Sequence, residues 1–293
     1  MKSPNGQNVI ITGVSSGIGQ ETVRCLAERG YRVFGSVRKL ADAQVLQTEL
    51  DDRFHPMVFD VCNGDNIKAA AAEVAKIIGD EPVTAIVNNA GLALFGPMEL
   101  LDDDAFEHIM KVNVIGTRLV TNAFLPLMRN GAPRFARKIV NVSSLSGIFN
   151  TPMSGAYCVS KHAMESLGEI YRRELLAEQI DVVSIRSGPI QTEIWRKNID
   201  ETTPYDGTPY EEASRRTQRI MNNAKKKALP PSVIAELILD IIEGRKNKLS
   251  YHVGVGSRVS RILSSCLAPR RTVDRLIDKA LNKPKKIQKD TKL

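Results

Sequence analysis

Short apolar, β-branched runs alternate with longer amphipathic runs along most of this chain. The short runs predict strands, and the longer runs carry apolar residues at the 3.6-residue spacing of a helix. The predicted strands are residues 9–12, 31–37, 56–61, 83–88, 138–143 and 180–186, with 248–253 as a candidate seventh. The predicted helices are residues 17–30, 41–50, 65–78, 102–128, 155–177 and 230–243.

Strands that alternate with helices of this length predict βαβ units. We therefore expect an α/β fold with a doubly wound, Rossmann-type sheet, mostly parallel and seven-stranded, with helices on both faces. Residues 1–253 would form one dinucleotide-binding catalytic domain. Within it, residues 191–228 break the rhythm with prolines, glycine and many charges, which is typical of an irregular insert that covers a substrate.

Positive charge is concentrated at the C-terminus. The formal net charge is +8, yet residues 245–293 contain 14 Lys or Arg and 3 Asp or Glu, so the rest of the chain is slightly acidic. This distribution argues against a nucleic-acid-binding core. Residues 254–293 are expected to form a basic tail, with two interpretations open. Its apolar positions could make an amphipathic peripheral contact with an anionic membrane, or the tail could be solvated and packed in part on the body.

The sequence favours a soluble protein of a reducing compartment. Its apolar runs are all shorter than the ~20 residues that a membrane span needs. Residues 1–8 are short and polar and do not resemble a signal peptide. The four cysteines are scattered, so we expect free thiols, a cytoplasmic location and no metal site.

A glycine motif follows the first predicted strand. Residues 12–19 read TGVSSGIG, with glycines at 13, 17 and 19. Without side chains the backbone can turn tightly, so that free N–H groups and the helix dipole meet a phosphate. The alternative is an ordinary tight turn between a strand and a helix.

A second motif combines a tyrosine with a lysine. Tyr157 and Lys161 are four residues apart, which places both on one face of a helix. A neighbouring ammonium lowers the pKa of a phenol, which could then exchange a proton with a substrate oxygen. Taken alone, this pair could also arise by chance.

Together the motifs occur in the order of one enzyme family. They are TGVSSGIG, Asp60-Val61 after the third strand, the run NNAG at 88–91, Asn113, the run VNVSS ending at Ser144, Tyr157-x-x-x-Lys161, and the run GPIQT at 188–192. From about residue 8 to 253 the chain resembles the short-chain dehydrogenases/reductases. Within that family it resembles the retinol and hydroxysteroid dehydrogenase-like members.

The resemblance implies roles for individual residues. Tyr157 would be the acid/base, Lys161 would lower its pKa and hold the nicotinamide ribose, Ser144 would bind the substrate oxygen, and Asn113 would anchor a water that links Lys161 to solvent. The implied cofactor-binding residues are Gly13, Ser15, Ser16, Gly17, Ile18, Gly19, Arg38, Asp60, Val61, Asn89, Ala90, Gly91, Ile190 and Thr192, together with Tyr157 and Lys161. Ser143 and Cys158 are excluded because they point to other faces.

The end of the second strand predicts the cofactor. An acidic residue there selects NAD, but the sequence has Val37 at that position, followed by Arg38. In the family a basic residue one step later goes with NADP(H), and an arginine fork suits a phosphate. Ser16 stands where many NADPH-using relatives have a basic residue, so we expect a preference for NADP(H) and not the exclusion of NAD.

The predicted activity is the interconversion of a carbonyl and a secondary or primary alcohol on a small apolar substrate. Candidate pocket residues are Leu94, Phe95, Leu145, Phe149, Met153, Trp195 and Tyr205. The alternative is a catalytically silent nucleotide sensor or scaffold, which loss of Tyr157, Lys161 or Ser144 would have favoured; all three are present. The family resemblance also implies a homodimer or homotetramer assembled through the long helices.

Overall fold

Seven strands form one sheet in the computed structural model, which describes residues 7–131, 136–193, 205–254 and 270–281. The strands are β1 (Asn8–Ile11), β2 (Arg32–Val37), β3 (Phe54–Val58), β4 (Val83–Asn88), β5 (Arg137–Ser144), β6 (Ile180–Ser187) and β7 (Ser250–Val253). All pairs are parallel, in the order β3-β2-β1-β4-β5-β6-β7. The predicted doubly wound α/β fold is confirmed, and the sheet is parallel throughout.

Helices connect these strands and cover both faces of the sheet. They are α1 (Gly17–Glu28), α2 (Gln44–Leu50), α3 (Gly64–Ile78), α4 (Asp103–Met110), α5 (Thr117–Met128), α6 (Gly155–Glu174), α7 (Glu211–Lys226), α8 (Ser232–Ile242) and α9 (Arg270–Leu281). A π-helical segment, Lys111–Gly116, joins α4 to α5, so the predicted helix 102–128 changes winding in its middle.

The core consists of two layers separated by the sheet. Along β1, Val9 belongs to the layer that includes Leu26 of α1 and Ile238 of α8. The next residue, Ile10, belongs to the layer on the opposite face, with Phe124 of α5. This alternation follows from the two-residue period of a strand, and burial on both faces explains the continuous apolar strand runs in the sequence.

The strand order reverses beside β1. From β1 the chain crosses to β2 and then β3 on one side, and it returns to pair β4 on the other side. Loops that leave the carboxyl ends of β1 and β4 therefore diverge and open a crevice, which is where ligands bind in sheets of this type.

Two predicted segments differ from the structure. The third strand was predicted at 56–61 but runs Phe54–Val58, because it pairs with β2 in register and β2 ends at Val37, opposite Val58. The insert 191–228 was predicted to be irregular, yet it contains the 16-residue helix α7. Two charge pairs join successive turns of this helix, Glu211 with Arg215 and Glu212 with Arg216, and Met221 is buried. Apolar periodicity does not detect such a helix.

The described part of the tail forms α9, which packs against α7. Leu281 is buried, whereas Leu276 is exposed. Residues 255–269 and 282–293, with much of the predicted apolar stripe, lie outside the described residues. Among the described residues, no helix is both long and apolar enough to cross a bilayer.

Candidate active site

The glycine motif forms a close backbone crossing between β1 and α1. A Cβ at Gly19 would lie 2.2 Å from the carbonyl oxygen of Gly13 and 2.6 Å from Nδ2 of Asn89. Gly13 itself has φ +71°, which favours glycine. The N-cap residue of α1, Ser16, makes no side-chain cap hydrogen bond. The first N–H groups of α1 can therefore serve a phosphate.

Residues after β4 hold this turn in place. Thr12 Oγ1 accepts hydrogen bonds from the backbone N–H groups of Asn89 and Ala90 at 3.1 and 3.0 Å. Asn89 Nδ2 donates to the carbonyl oxygens of Thr12 and Gly13 at 3.0 and 2.9 Å. The predicted ligand Asn89 thus also fixes the crossing between the two diverging loops.

The end of β2 presents a cation beside the turn. Ser36 Oγ accepts from Gly13 N at 3.0 Å, which ties β2 to the glycine motif. Val37 is buried, and Arg38 is exposed and lines the cleft. Among the described residues, no carboxylate forms an ion pair with Arg38. Its guanidinium can therefore meet an anionic ligand.

One cleft runs across the carboxyl ends of the strands and contains most of the predicted cofactor residues. Four predicted site residues do not line this cleft: Gly19, Asn113, Ser144 and Ile190. Asp60 does, and its Oδ1 accepts from Cys62 N at 2.8 Å. The lining residues are Gly13, Ser15, Ser16, Gly17, Ile18, Ser36, Val37, Arg38, Phe59, Asp60, Val61, Asn89, Ala90, Gly91, Leu92, His108, Val112, Val142, Ser143, Tyr157, Lys161, Thr192 and Glu193.

Sequence reasoning missed several of these lining residues. Phe59 precedes Asp60, and Glu193 follows Thr192. Because both neighbours are predicted site residues, these positions could have been included from the sequence. His108 and Val112 are one turn apart where α4 passes into the π segment, and no motif marks them. Ser143 also contributes to the wall, although its hydroxyl is buried toward Gly147.

Tyr157 and Lys161 meet at one end of the cleft, on the first turns of α6. Lys161 Nζ lies 5.9 Å from the centre of the Tyr157 ring and donates to the carbonyl oxygen of Val142 at 3.0 Å. Burial lowers the pKa of Lys161 to about 8, against an opposing contribution from Glu165. The lysine therefore changes charge just above neutral pH.

Burial raises the pKa of Tyr157, and a hydrogen bond from the Ser144 side chain partly offsets this. The phenol is therefore protonated at neutral pH when no cofactor is bound. Ser144 ends β5, and its Oγ accepts from Ser146 N at 3.1 Å. The arrangement joins a proton donor to a hydroxyl that can hydrogen-bond the same substrate oxygen.

Asn113 connects the loop after β4 to α6. Its Oδ1 accepts from Leu92 N at 2.8 Å, and its Nδ2 donates to Leu92 O and to Ser160 Oγ, both at 2.9 Å. Ser160 in turn donates to the carbonyl oxygen of Tyr157 at 2.8 Å. Both ends of the Asn113 amide are thus engaged. Its position in a π segment agrees with the frequent occurrence of such segments at functional sites.

One aromatic side chain lies beside the Tyr157 ring. The Phe95 ring lies 6.4 Å from the Tyr157 ring, centre to centre. Gly96 N donates to the carbonyl oxygen of buried Met153 at 2.8 Å. The Tyr205 hydroxyl approaches Gly96 so closely that a Cβ there would lie 2.3 Å from it. Of the other predicted pocket residues, Leu94, Leu145 and Phe149 are partly exposed, and Trp195 lies outside the described residues.

Comparison with known proteins identifies the family. The short chain dehydrogenase profile matches residues 7–203. The chain is 33% identical over 277 residues to the NADPH-dependent 3-dehydrocapnine reductase of Ornithobacterium rhinotracheale, covering 94% of this chain and 97% of that protein. It is 35% identical over 190 residues to human retinol dehydrogenase 16, covering 64% and 58% of the two chains.

Solved structures share the fold. A short-chain dehydrogenase from Streptomyces avermitilis has a TM-score of 0.73 at 24% identity, covering 93% of this chain and 95% of that one. An alcohol dehydrogenase from Thermococcus sibiricus, complexed with 5-hydroxy-NADP, has a TM-score of 0.68 at 23% identity, covering 86% and 98%. The fold, the profile match and the full-length similarity agree, and the chain belongs to the short-chain dehydrogenase/reductase family.

Proposed function

We propose that this protein is an NADP(H)-dependent oxidoreductase that interconverts a carbonyl and a secondary or primary alcohol on an apolar substrate. The observation that carries the proposal is the meeting of Tyr157 and Lys161 with the glycine turn in one cleft. The Ser144 hydroxyl, whose interaction lowers the pKa of Tyr157, would supply a second group at the reacting oxygen.

The described residues fit a dinucleotide. The crossing at Gly19 leaves no room for a Cβ, as expected where a backbone must approach a pyrophosphate. The exposed Arg38 provides a cation for a 2′-phosphate, and the similarity to an NADPH-dependent reductase supports the same choice. When bound, the reduced nicotinamide supplies the hydride for the carbonyl carbon.

The chain's own residues would handle the proton. In the reductive direction Tyr157 donates its phenolic proton to the substrate oxygen, which gains negative charge as the carbonyl is reduced. Ser144 donates a hydrogen bond to that oxygen. The Lys161 ammonium holds the ribose hydroxyls and stabilises the phenolate that remains on Tyr157.

The wall beside Tyr157 favours an apolar substrate. Phe95 provides apolar surface there, and Gly96 is covered by the Tyr205 ring. Relatives named for 3-dehydrocapnine and retinol support testing those two substrate types first. A suitable panel contains aliphatic ketones of increasing length, steroid ketones, retinal and 3-dehydrocapnine, and the readout is the loss of NADPH absorbance.

The catalytic assignment is tested with Tyr157→Phe. We expect this variant to fold and bind NADPH but to lose at least ~100-fold in kcat, because no other phenol lines the described cleft. Tyr171→Phe is the matched control, since Tyr171 lies on the same helix and its hydroxyl bonds Asn122 at 2.5 Å. A near-normal rate for Tyr157→Phe would remove the assignment. Absence of turnover in the wild type across the panel would favour the silent-scaffold alternative.

The cofactor assignment is tested by comparing kcat/KM for NADPH and NADH on one substrate. We expect a preference for NADPH of roughly 10- to 150-fold, from one charge-assisted contact of Arg38 with the 2′-phosphate. Arg38→Ala should remove most of that preference, whereas Lys39→Ala, which alters the next residue, should keep it. Equal use of NADH by the wild type would contradict the assignment.

A further inference from the structure

One face of α6 carries ionisable side chains on three successive turns. Tyr157, Lys161 and Glu165 are spaced four residues apart, which brings such side chains together along a helix. Lys161 is buried, and the Glu165 side chain is 11% exposed. The function proposed above uses the first two and gives Glu165 no part.

Arg186 of β6 binds the Glu165 carboxylate. Its Nε and Nη2 donate to Oε2 at 3.0 and 2.8 Å, a charge-assisted contact largely withdrawn from solvent. The next residue, Ser187, has its carbonyl oxygen 3.5 Å from Ser144 Oγ, and its own Oγ donates to Ser143 O at 3.3 Å. The ion pair therefore connects α6, which carries Tyr157, to β6, which pairs with the strand that carries Ser144.

The second oxygen of the Glu165 carboxylate is buried, without a hydrogen-bond partner among the described residues. A Cβ placed on Gly147 would lie 2.9 Å from Glu165 Cγ and 3.1 Å from the carbonyl oxygen of Lys161. The carboxylate stem thus packs against the same glycine as the Lys161 backbone. Burying a charged oxygen without a donor costs free energy, so stability alone does not account for a glutamate here.

We propose that Glu165 and Arg186 are a positioning pair that aligns α6 with the Ser144 strand and whose opposite charges set the protonation of Lys161. The carboxylate of Glu165 raises the pKa of Lys161 against the effect of burial. The Arg186 cation binds that carboxylate through Oε2 and would weaken this effect. The other ionisable groups at this position are Tyr157 on α6 and His252 on β7, whose Nε2 lies 3.3 Å from Arg186 Nη1.

The inference rests on the proposed role of Lys161, but its main readout needs no substrate. In the full chain without cofactor, the ¹³Cε signal of Lys161 is titrated after lysine labelling and assigned by its loss in Lys161→Met. Glu165→Gln should lower the pKa of Lys161, because it removes an anion and leaves Arg186 unpaired. Arg186→Gln should raise the pKa of Lys161, because the Glu165 carboxylate then has no arginine bound to it. Each midpoint should move by at least ~0.5 in pH, and the double variant should lie between them.

Glu169→Gln is the matched control. Glu169 lies on the next turn of α6, is 52% exposed, and pairs with Arg172 at the surface. Its removal should leave the Lys161 midpoint unchanged, because exposed pairs are screened by solvent. A structural clamp alone would make Glu165→Gln and Arg186→Gln lose activity alike. Shifts in the same direction, or no shift in either variant, would overturn the proposal.

Failure to fold does not leave the question open. If thermal melts show that Arg186→Gln is unfolded, Arg186→Lys replaces it. Lysine keeps the positive charge but cannot donate to Glu165 through two nitrogens. The Lys161 midpoint should therefore stay near the wild-type value while kcat falls. A moved midpoint in Arg186→Lys would count against the proposal. If the two variants shift the Lys161 midpoint in opposite directions but the wild type reduces no carbonyl, the proposed function is refuted and the positioning pair stands.

Discussion

Lys161 illustrates how a residue can serve chemistry at the expense of stability. Its side chain is 5% exposed, and its Nζ donates to the carbonyl oxygen of Val142. Burial lowers its pKa from 10.5 to about 8. The folded protein therefore holds this proton less tightly than the unfolded chain does. Below about pH 8 the buried charge of Lys161 destabilises the folded protein by its full amount. As the pH rises from about 8 to 10.5 this cost is lost, so the free energy of unfolding increases.

Lys161→Met should therefore stabilise the protein while impairing its cofactor binding and turnover. At pH 7 we expect the free energy of unfolding to increase by up to about 3 kcal/mol, since the buried charge is removed. Urea unfolding at pH 7, 8.5 and 10 measures the gain, which should shrink as the pH rises. Lys68→Met, at a side chain that is 75% exposed, should change little. A gain that is independent of pH would contradict the argument.

At the scale of elements, the connection between β1 and α1 depends on one backbone crossing. Gly19 passes so close to Gly13 that a Cβ would lie 2.2 Å from the Gly13 carbonyl oxygen. The obstacle is backbone and not a flexible side chain, so it cannot move aside cheaply. Any added atom must displace either the turn or the start of α1, and with them the N–H groups expected to bind the pyrophosphate.

Gly19→Ala should weaken NADPH binding at least ~10-fold and lower the free energy of unfolding by about 1–3 kcal/mol, as overpacking does. Titration of NADPH fluorescence and thermal unfolding measure the two effects. The control is Gly64→Ala in the first turn of α3, where the new Cβ would make an ordinary 3.5 Å contact with Leu119. Normal NADPH affinity in Gly19→Ala would show that the crossing does not hold the cofactor.

At the scale of the whole molecule, apolar side chains remain exposed on the long helices. Ile115 of the π segment is 47% exposed, and Val159 and Ile170 of α6 are 43% and 47% exposed. Positions 159 and 170 fall on the same side of α6, because the helix completes about three turns between them. Exposed apolar side chains on one side of a helix are candidates for an association surface.

We predict a homodimer or homotetramer that Ile170→Glu dissociates, because a buried, unpaired carboxylate would oppose the contact. Light scattering after size-exclusion chromatography, at several protein concentrations, gives the mass. Ile77→Glu is the control, since Ile77 is 50% exposed but lies on α3. A wild type that is monomeric at all concentrations would refute the assembly prediction.

The order of strands and helices, and the spacing of Tyr157 and Lys161, could be predicted from the sequence. Both depend on local geometry: a strand repeats every two residues and a helix every 3.6, whatever surrounds them. The glycine turn at 12–19 is local in the same sense, because a few consecutive residues determine how tightly the backbone can bend. These features place the cofactor end of the site without knowledge of the packing.

The tertiary structure decided what depends on distant residues. The bounds of β3 follow from its pairing with β2, and α7 packs against α9, a contact that apolar periodicity does not reveal. His108 reaches the cleft because the crossover after β4 carries it there. Arg186 meets Glu165 across 21 residues because β6 lies beneath α6. Contacts between distant parts of the chain arise only when the crossovers have stacked the elements, so no local pattern in the sequence encodes them.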